Sequence, residues 1–381
     1  MNLSRLRSLW HHPQRSPGDA PESLISELYR GLLGREPDQG GLRSHADALR
    51  SGTALADIAR TMVESDEFSQ RQKYLRVPPT ELPDLTERFP QRYRRNPDGT
   101  STLTISDDRE FDELEAAIHE HRYYDSFGVW SPVVDVDKRV TAALVAGFGA
   151  KRCLEIGCFT GPVLSLLHER GIETTGVEIS HLAFVLAYPS IKNRIRYGDL
   201  LSLDLQPPYD AVLAMDILEH FNPLKLDRYL ERMRQLLDRD GYCLINSPMF
   251  GRDEVFGDVD IPLPEWRAAG PASFWRHLHC DARGWPEHGH LVWASPSWWE
   301  SRFAAHGLVR DKDVEHRIHA SLAGFFATYA PARRTFFVLK REDNAKSSRE
   351  VADRVAGELA GVLATEPGLA DAASAALRGG V

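Results

Sequence analysis

The spacing of apolar residues changes character along the chain. In PESLISELYRGLLGREPDQGGL, Leu24, Leu28 and Leu32 recur every four positions, the period of one helix face, with Pro21 at a first helical position and Gly34 as a stop. The same spacing returns in LRSHADALRSG and ALADIARTMVESDEF, with Gly52 as a break and Ser65 or Asp66 as the cap of a further helix. This predicts a small all-α domain over residues 21–75, preceded by a disordered lead over 1–20. Arg35, Glu36 and Asp38 are expected to cap and brace a turn between its helices.

Residues 76–122 are rich in Pro, Arg and Asp and read as a linker, with a turn at Asn96–Gly99, a hairpin and a helix. Arg88, Arg92, Arg94 and Arg95 there face the acidic run SDDREFDELEAAIHEH, which predicts pairing within the chain. Helical and extended patterns then alternate over 123–341. Strands are expected at KRCLEIG, IETTGVEI, RIRYGD, YDAVLAMD and YCLINS, and an irregular lid insertion over about 250–295. A helix SPSWWESRFAAHG and an antiparallel pair, GLVRDKDVE and RTFFVLKR, follow. The fold class is α/β, a doubly wound Rossmann-like sheet, with the all-α domain before it. The tail, 342–381, carries Val351, Val355, Leu359 and Val362 at helical spacing and is expected to pack on its own chain.

Charge and composition narrow the partners. A net charge of -9 and a pI near 5.9 give no electrostatic footprint for nucleic acid or an anionic membrane. The tetrapeptide NSPM lies too late in the chain for the signature of amino-methylating DNA enzymes, which would sit where MDIL stands. The four cysteines show no CxxC spacing, which fits a reducing compartment. No stretch approaches the roughly 20 apolar residues of a membrane span, and the expected location is the cytoplasm.

The stretch CLEIGCFTGPVLSLL is a strand, a glycine loop and a helix. A dinucleotide loop needs three glycines, and here Gly157, Phe159 and Pro162 stand at those places. Glu155, two residues before Gly157, is a poor neighbour for pyrophosphate and suits a cationic ligand, as S-adenosyl-L-methionine is. LEIGCFTG, followed by GVEIS, YGDL and YDAVLAMDILEHF, resembles the class I S-adenosylmethionine-dependent methyltransferases in order and spacing. The resemblance implies a seven-stranded sheet with an antiparallel last pair. It implies that Glu155, Gly157 and Gly161, with Cys158 and Phe159 between them, hold the methionine end of the cofactor. Glu178, with Ile179 beside it, would take the ribose hydroxyls; Asp199 would take the adenine amino group and Leu200 the ring, while Asp216 faces the same cleft.

An alcohol acceptor needs a base or a metal to remove its proton. Asp216 and His220 lie four apart and would share a face if a helix follows the fourth strand, so that the carboxylate orients the imidazole. His290, in the insertion HLHCDARGWPEHGHLVWASPSWW, is the second candidate base. His277, His279, Cys280, Asp281 and His288 crowd the same stretch, but no standard zinc spacing is met and no metal is predicted. Trp275, Trp285, Trp293, Trp298 and Trp299 are expected to wall the acceptor pocket.

The helical domain, through LYRGLLGREPDQGGLRSHADALRSGTALADIARTMVESDEF, resembles a bacterial domain of unknown function often found beside glycan-modifying enzymes. That resemblance implies O-methylation of a sugar in a bacterial surface polysaccharide or its precursor. A small lipid or quinone-like acceptor remains the alternative. A non-catalytic binding module, recruiting a protein partner through the helical domain, remains another.

Overall fold

The chain divides into two compact units, Met1–Gln72 and Lys73–Val381. The computed structural model describes residues 21–33, 37, 39–65, 67–69, 72, 81–89, 92–125, 134–260, 263–269 and 274–365. Residues 1–20, Gly34, Arg35, Glu36, Asp38, Asp66 and residues 366–381 lie outside the described residues.

In the first unit, α1 (Pro21–Leu28) runs into a π-type turn over Tyr29–Leu33, followed by α2 (Gln39–Arg50) and α3 (Leu55–Val63). The most deeply buried positions are Ile25, Tyr29, Leu33, Ala46, Ile58 and Met62. The four-residue spacing holds, one position on from Leu24, Leu28 and Leu32. Leu28 and Leu32 pack only partly against that core, because an apolar stripe two residues wide can turn either row inward. The Ser65 hydroxyl accepts the Phe68 N–H at 3.2 Å.

The second unit opens with a hairpin, β1 (Tyr93–Arg95) and β2 (Ser101–Thr104), and α4 (Arg109–Glu120). Arg92 pairs with Glu110 and Arg94 with Glu265 at 2.5 Å, so this arginine cluster meets carboxylates of its own chain. Next come α5 (Val136–Gly147), β3 (Arg152–Ile156), α6 (Pro162–Glu169), β4 (Glu173–Glu178), β5 (Ile195–Tyr197) and β6 (Tyr209–Met215). Then follow α7 (Leu226–Leu236), β7 (Leu237–Asn246), β8 (Gly251–Asp253), β9 (Gly257–Val259), β10 (His277–Cys280) and α8 (Pro296–Ala305). The described part of the unit closes with β11 (Leu308–Arg310), α9 (Lys312–Ser321), β12 (Phe336–Arg341) and α10 (Ser348–Leu363).

The main sheet has seven strands in the order β11-β12-β7-β6-β3-β4-β5. β12 is antiparallel to both neighbours, and the pairs from β7 to β5 are parallel. The strands read as unbroken apolar runs because both faces are covered. Cys153, Ala211, Leu213 and Leu244 enter the core under α5 and α10, while Leu154, Val212, Ala214 and Ile245 enter the core under α7 and α8. All four cysteines are buried and unpaired.

Three elements differ from the sequence expectation. The strand GLVRDKDVE ends at Arg310, because the Asp311 carboxylate accepts the Val314 N–H and starts α9. The segment read as a linker is part of the second unit: β2 pairs with β10 of the insertion, forming a three-stranded sheet β1-β2-β10. The insertion itself therefore carries strands, which local pattern could not reveal because the partner lies over 170 residues earlier.

Helix α10 buries Val351, Val355, Leu359 and Val362 in the core it shares with α5. The approach is close: a Cβ added at Gly147 would come 2.6 Å from the Val355 Cα. Leu359→Ala is expected to lower unfolding stability by about 2–5 kcal/mol, measured by denaturant titration. A loss near zero would mean that α10 does not cap this core.

Candidate active site at the strand ends

A cavity opens at the C-terminal ends of the parallel strands. It sits where the strand order reverses between β3 and β6, the usual ligand crevice of such sheets. Gly157 and Phe159 after β3, Glu178, Ile179 and Ser180 after β4, and Asp199 and Leu200 after β5 line it. So do Asp216, Ile217, His220 and Phe221 after β6. The remaining wall includes Glu115, Ile118 and His119 of α4, with Tyr124, Tyr229 and Leu291.

The glycine loop is held by the neighbouring strand. The N–H groups of Gly157 and Cys158 donate to the Val177 carbonyl at 2.8 and 3.2 Å. Three loop residues, Gly157, Phe159 and Gly161, have left-handed φ of 67°, 51° and 81°. Glycine takes this conformation freely, whereas a phenylalanine pays about 1–2 kcal/mol. The backbone at Phe159 is thus the one a second glycine would favour, and the side chain stands in the cavity wall. Its N–H donates to Glu178 Oε2 at 2.7 Å, and the Ser180 N–H donates to Oε1 at 2.7 Å. Burial raises the Glu178 carboxyl above the usual range, while these amides pull it back. Asp199 accepts from the Leu201 N–H at 2.8 Å and from the Tyr229 hydroxyl at 3.0 Å.

Four carboxylates, Glu115, Glu178, Asp199 and Asp216, line the cavity, with no lysine or arginine among its described lining residues. Lone cations are favoured there and phosphates are not. A Cβ at Gly157 would come 1.9 Å from Ile217 Cδ1, so any side chain there would crowd the crevice. The donor set and the close backbone fit a sulfonium-bearing nucleoside.

Four expected site residues do not line the cavity. Glu155 is buried, with one oxygen lacking a hydrogen bond; burial and the Glu178 charge push its carboxyl up to about 8. Cys158 packs with Leu164, Ile191 and Ile195 in a separate apolar cluster. Gly161 is the left-handed residue that precedes α6, and a Cβ there would meet Ile191 at 2.3 Å. His290 is buried beside His220, their ring centroids 4.8 Å apart.

The expected Asp216–His220 pairing is replaced by another. Asp216 has a φ of 53° and its carboxylate pairs with Arg333, which also holds Asp137 at 2.9 Å and donates to Asn246 Oδ1 at 2.7 Å. A single 3-10 turn, Leu218–His220, follows in place of an α-helix, so positions 216 and 220 share no face. The His220 Nδ1–H instead donates to the Gly289 carbonyl at 3.3 Å, with the Tyr124 hydroxyl also 3.3 Å from that nitrogen. Burial pushes the His220 ring down to about 4, although the Gly289 and Asp216 carbonyls favour its charged form.

The lid tryptophans belong to a core. Trp266, Trp285 and Trp293 pack with Phe111, Leu114 and Leu278, and the indoles of Trp266 and Trp285 donate to the His277 and Pro83 carbonyls. Trp299 is buried under α8, with Trp298 and Trp275 partly buried. His277 and His279 contact the threonine hydroxyls of 104 and 100 in the three-stranded sheet, and Asp281 caps the turn to Trp285. Glu115, His119 and Tyr124 were missed as site residues. They come from the presumed linker and its end, and only the aromatic pair Tyr123–Tyr124 hinted at them.

Residues 120–309 match the family model described as a methyltransferase domain. Residues 17–72 match a domain of unknown function, DUF4214. Residues 120–309 are thus similar to methyltransferase domains, and a separate helical domain precedes them. An uncharacterized methyltransferase of Staphylococcus carnosus is 25% identical over 108 residues, 28% of this chain and 52% of that protein. A ubiquinone biosynthesis O-methyltransferase of Alkalilimnicola ehrlichii is 27% identical over 123 residues, 30% of this chain and 49% of that protein. The chain thus spans about half the length of the curated relatives it matches. Among solved structures, the 1,6-didemethyltoxoflavin-N1-methyltransferase of Burkholderia thailandensis is 16% identical, covering 65% of this chain and 96% of its own, with a TM-score of 0.39.

Glu178→Ala is expected to weaken S-adenosylmethionine binding by more than about tenfold, since two hydrogen bonds to a charged group are each worth about 1.5–3 kcal/mol. Gly157→Arg should abolish binding by filling the crevice. Calorimetry on the purified chain, with wild-type affinity in both variants, would remove the cofactor from this cavity.

Proposed function

We propose that this protein is an S-adenosylmethionine-dependent O-methyltransferase that acts on a sugar of a bacterial surface polysaccharide or its precursor. The observation that carries it is a single cavity in which Glu178 and Asp199 stand at one set of strand ends and His220, Tyr124 and His119 stand at the wall of the same space.

S-adenosylmethionine supplies an electrophilic methyl group on a positively charged sulfur. Glu178 would take the ribose hydroxyls with the carboxylate lone pairs left free by the two amides. Asp199 and Leu200 would take the adenine, and Gly157 with Phe159 would bound the methionine end. His220 stands where an acceptor proton must leave. Its Nδ1 is held by the Gly289 carbonyl, and Nε2 is left as the nitrogen that can receive a proton. Alignment within the cavity would supply much of the remaining acceleration.

The imidazole, phenol and carboxylate groups of His119, Tyr124 and Glu115 suit a polyhydroxylated acceptor. The neighbouring helical domain, whose relatives accompany glycan-modifying enzymes, supports the same class and is read as a docking unit for a protein partner. A second reading, a quinone-like or lipid acceptor, is favoured by the apolar Ile118, Phe221 and Leu291 in the wall and by the ubiquinone-biosynthesis relative. A cytoplasmic location fits the unpaired buried cysteines, and no helix among the described residues is long and apolar enough to cross a membrane.

Methyl-transfer counting against free sugars, nucleotide sugars and catechols tests the class; turnover of catechols alone would select the second reading. A chain that binds cofactor and turns over none of them would be a non-catalytic binder. His220→Ala should lower kcat by about 10²–10⁴ with cofactor affinity unchanged. Because burial holds the His220 ring near 4, it is neutral above that pH. The rate should therefore not fall between pH 8 and 5, and should fall only as pH drops through about 4. A loss centred near 6.5 in kcat/KM would assign the base elsewhere.

A further inference from the structure

Behind the cavity wall, Glu219, His220 and His290 each offer one ligand atom, all within 4.8 Å of one another. The backbone forces this meeting. The N–H groups of Leu291 and Val292 donate to the Glu219 carbonyl at 2.7 and 2.9 Å, which lays the return of the insertion against the turn after β6. The His290 Nε2 comes 3.9 Å from Glu219 Oε1, and the two imidazole rings stand at 76° to each other.

The polar atoms of this cluster are unsatisfied. Glu219 is fully buried and neither carboxylate oxygen has a well-formed hydrogen bond; the same holds for His290 Nδ1, on a side chain 9% exposed. The Ser247 hydroxyl faces the Glu219 carboxylate without a well-formed hydrogen bond, and the Trp293 indole N–H has no partner among the described residues. A buried carboxylate with no partner costs several kcal/mol, so such a group is found paired, protonated or on a metal. No arginine or lysine among the described residues forms an ion pair with Glu219, in contrast to Asp216, which has Arg333.

We propose that Glu219, His220 and His290 form a binding site for a divalent transition-metal ion of the zinc or manganese type, at the acceptor end of the cavity. Two imidazoles and one carboxylate form a borderline ligand set that suits these ions, and three protein ligands leave a position open. Metal–ligand bonds of about 2.0–2.2 Å require the three atoms to draw together by about an ångström. His220 is the member that also lines the cavity, so the positive charge stands beside the acceptor. This deepens the O-methyl-transfer reading and rests on it: with the ion on His220 Nε2, the cation would lower the pKa of the acceptor hydroxyl so that its proton passes to solvent, in place of direct transfer to the imidazole. Glu219 thereby becomes a positioning and charge-supplying residue.

The test uses the full chain, stripped with chelator and titrated with Co²⁺ and Zn²⁺. Stoichiometric uptake and Co²⁺ d–d absorption bands of a low-symmetry site are expected. Since even an outer-shell change at a metal site costs about 10–100-fold in affinity, Glu219→Gln and His290→Asn should each weaken binding by at least about tenfold. His277→Gln, in the three-stranded sheet, should leave it unchanged, and circular-dichroism melting would check that each variant folds. No stoichiometric uptake, or wild-type metal affinity in both ligand variants, overturns the proposal; a protonated Glu219 bonded to His290 would give that result. Cofactor affinity, measured in parallel by calorimetry, keeps the outcomes distinct. A chain that binds metal and cofactor but transfers no methyl group contradicts the enzymatic reading and leaves the metal site standing.

Discussion

Carboxylates brought out of water at the ends of parallel strands are the constraint on which this molecule turns. Glu178 and Asp216 are each buried against the preference of a charged group for water, and each is compensated differently. Backbone amides of the glycine loop serve Glu178, and Arg333 serves Asp216. What is left uncompensated is the space between them, whose described lining holds acids and no lysine or arginine. Such a space rejects phosphate and admits a cationic nucleoside. The loop conformation follows from the same demand, since only a left-handed turn at 157 and 159 aims the Phe159 N–H at Glu178.

The wall opposite the strand ends is assembled from two distant pieces of chain. The hairpin before α4 and the strand His277–Cys280 share one sheet, and α4 and the insertion share one apolar core around Phe111, Leu278 and Trp285. Neither piece alone could bury those side chains. Their union brings Glu115, His119, Tyr124 and Leu291 to the wall of the cavity. Acceptor selection in this reading belongs to that composite wall, and the tryptophans support it from behind.

Much of the second unit is legible in the sequence. Strand positions at Leu154, Val177, Val212 and Leu244 follow from short apolar runs ending in Gly or acid, and the antiparallel close of the sheet was expected. Glu178, Asp199, Leu200, Asp216 and His220 were read as neighbours, and they do share one cavity. Glu155, Cys158, Gly161 and His290 were grouped with them by nearness in sequence. A strand turns alternate side chains to opposite faces, and a loop can bury one residue while exposing the next, so such nearness does not imply a shared cavity.

Local patterning and glycine placement therefore determined the strands of the main sheet and most of the helices that cover it, because these depend on residues within a few positions of one another. The tertiary structure alone decided that Asp216 turns to Arg333, that the insertion's tryptophans are core, and that Glu219 meets His290. Each of those outcomes is a competition between partners 70 or more residues apart in the chain. It is won by burial and backbone direction, which no short window of sequence contains.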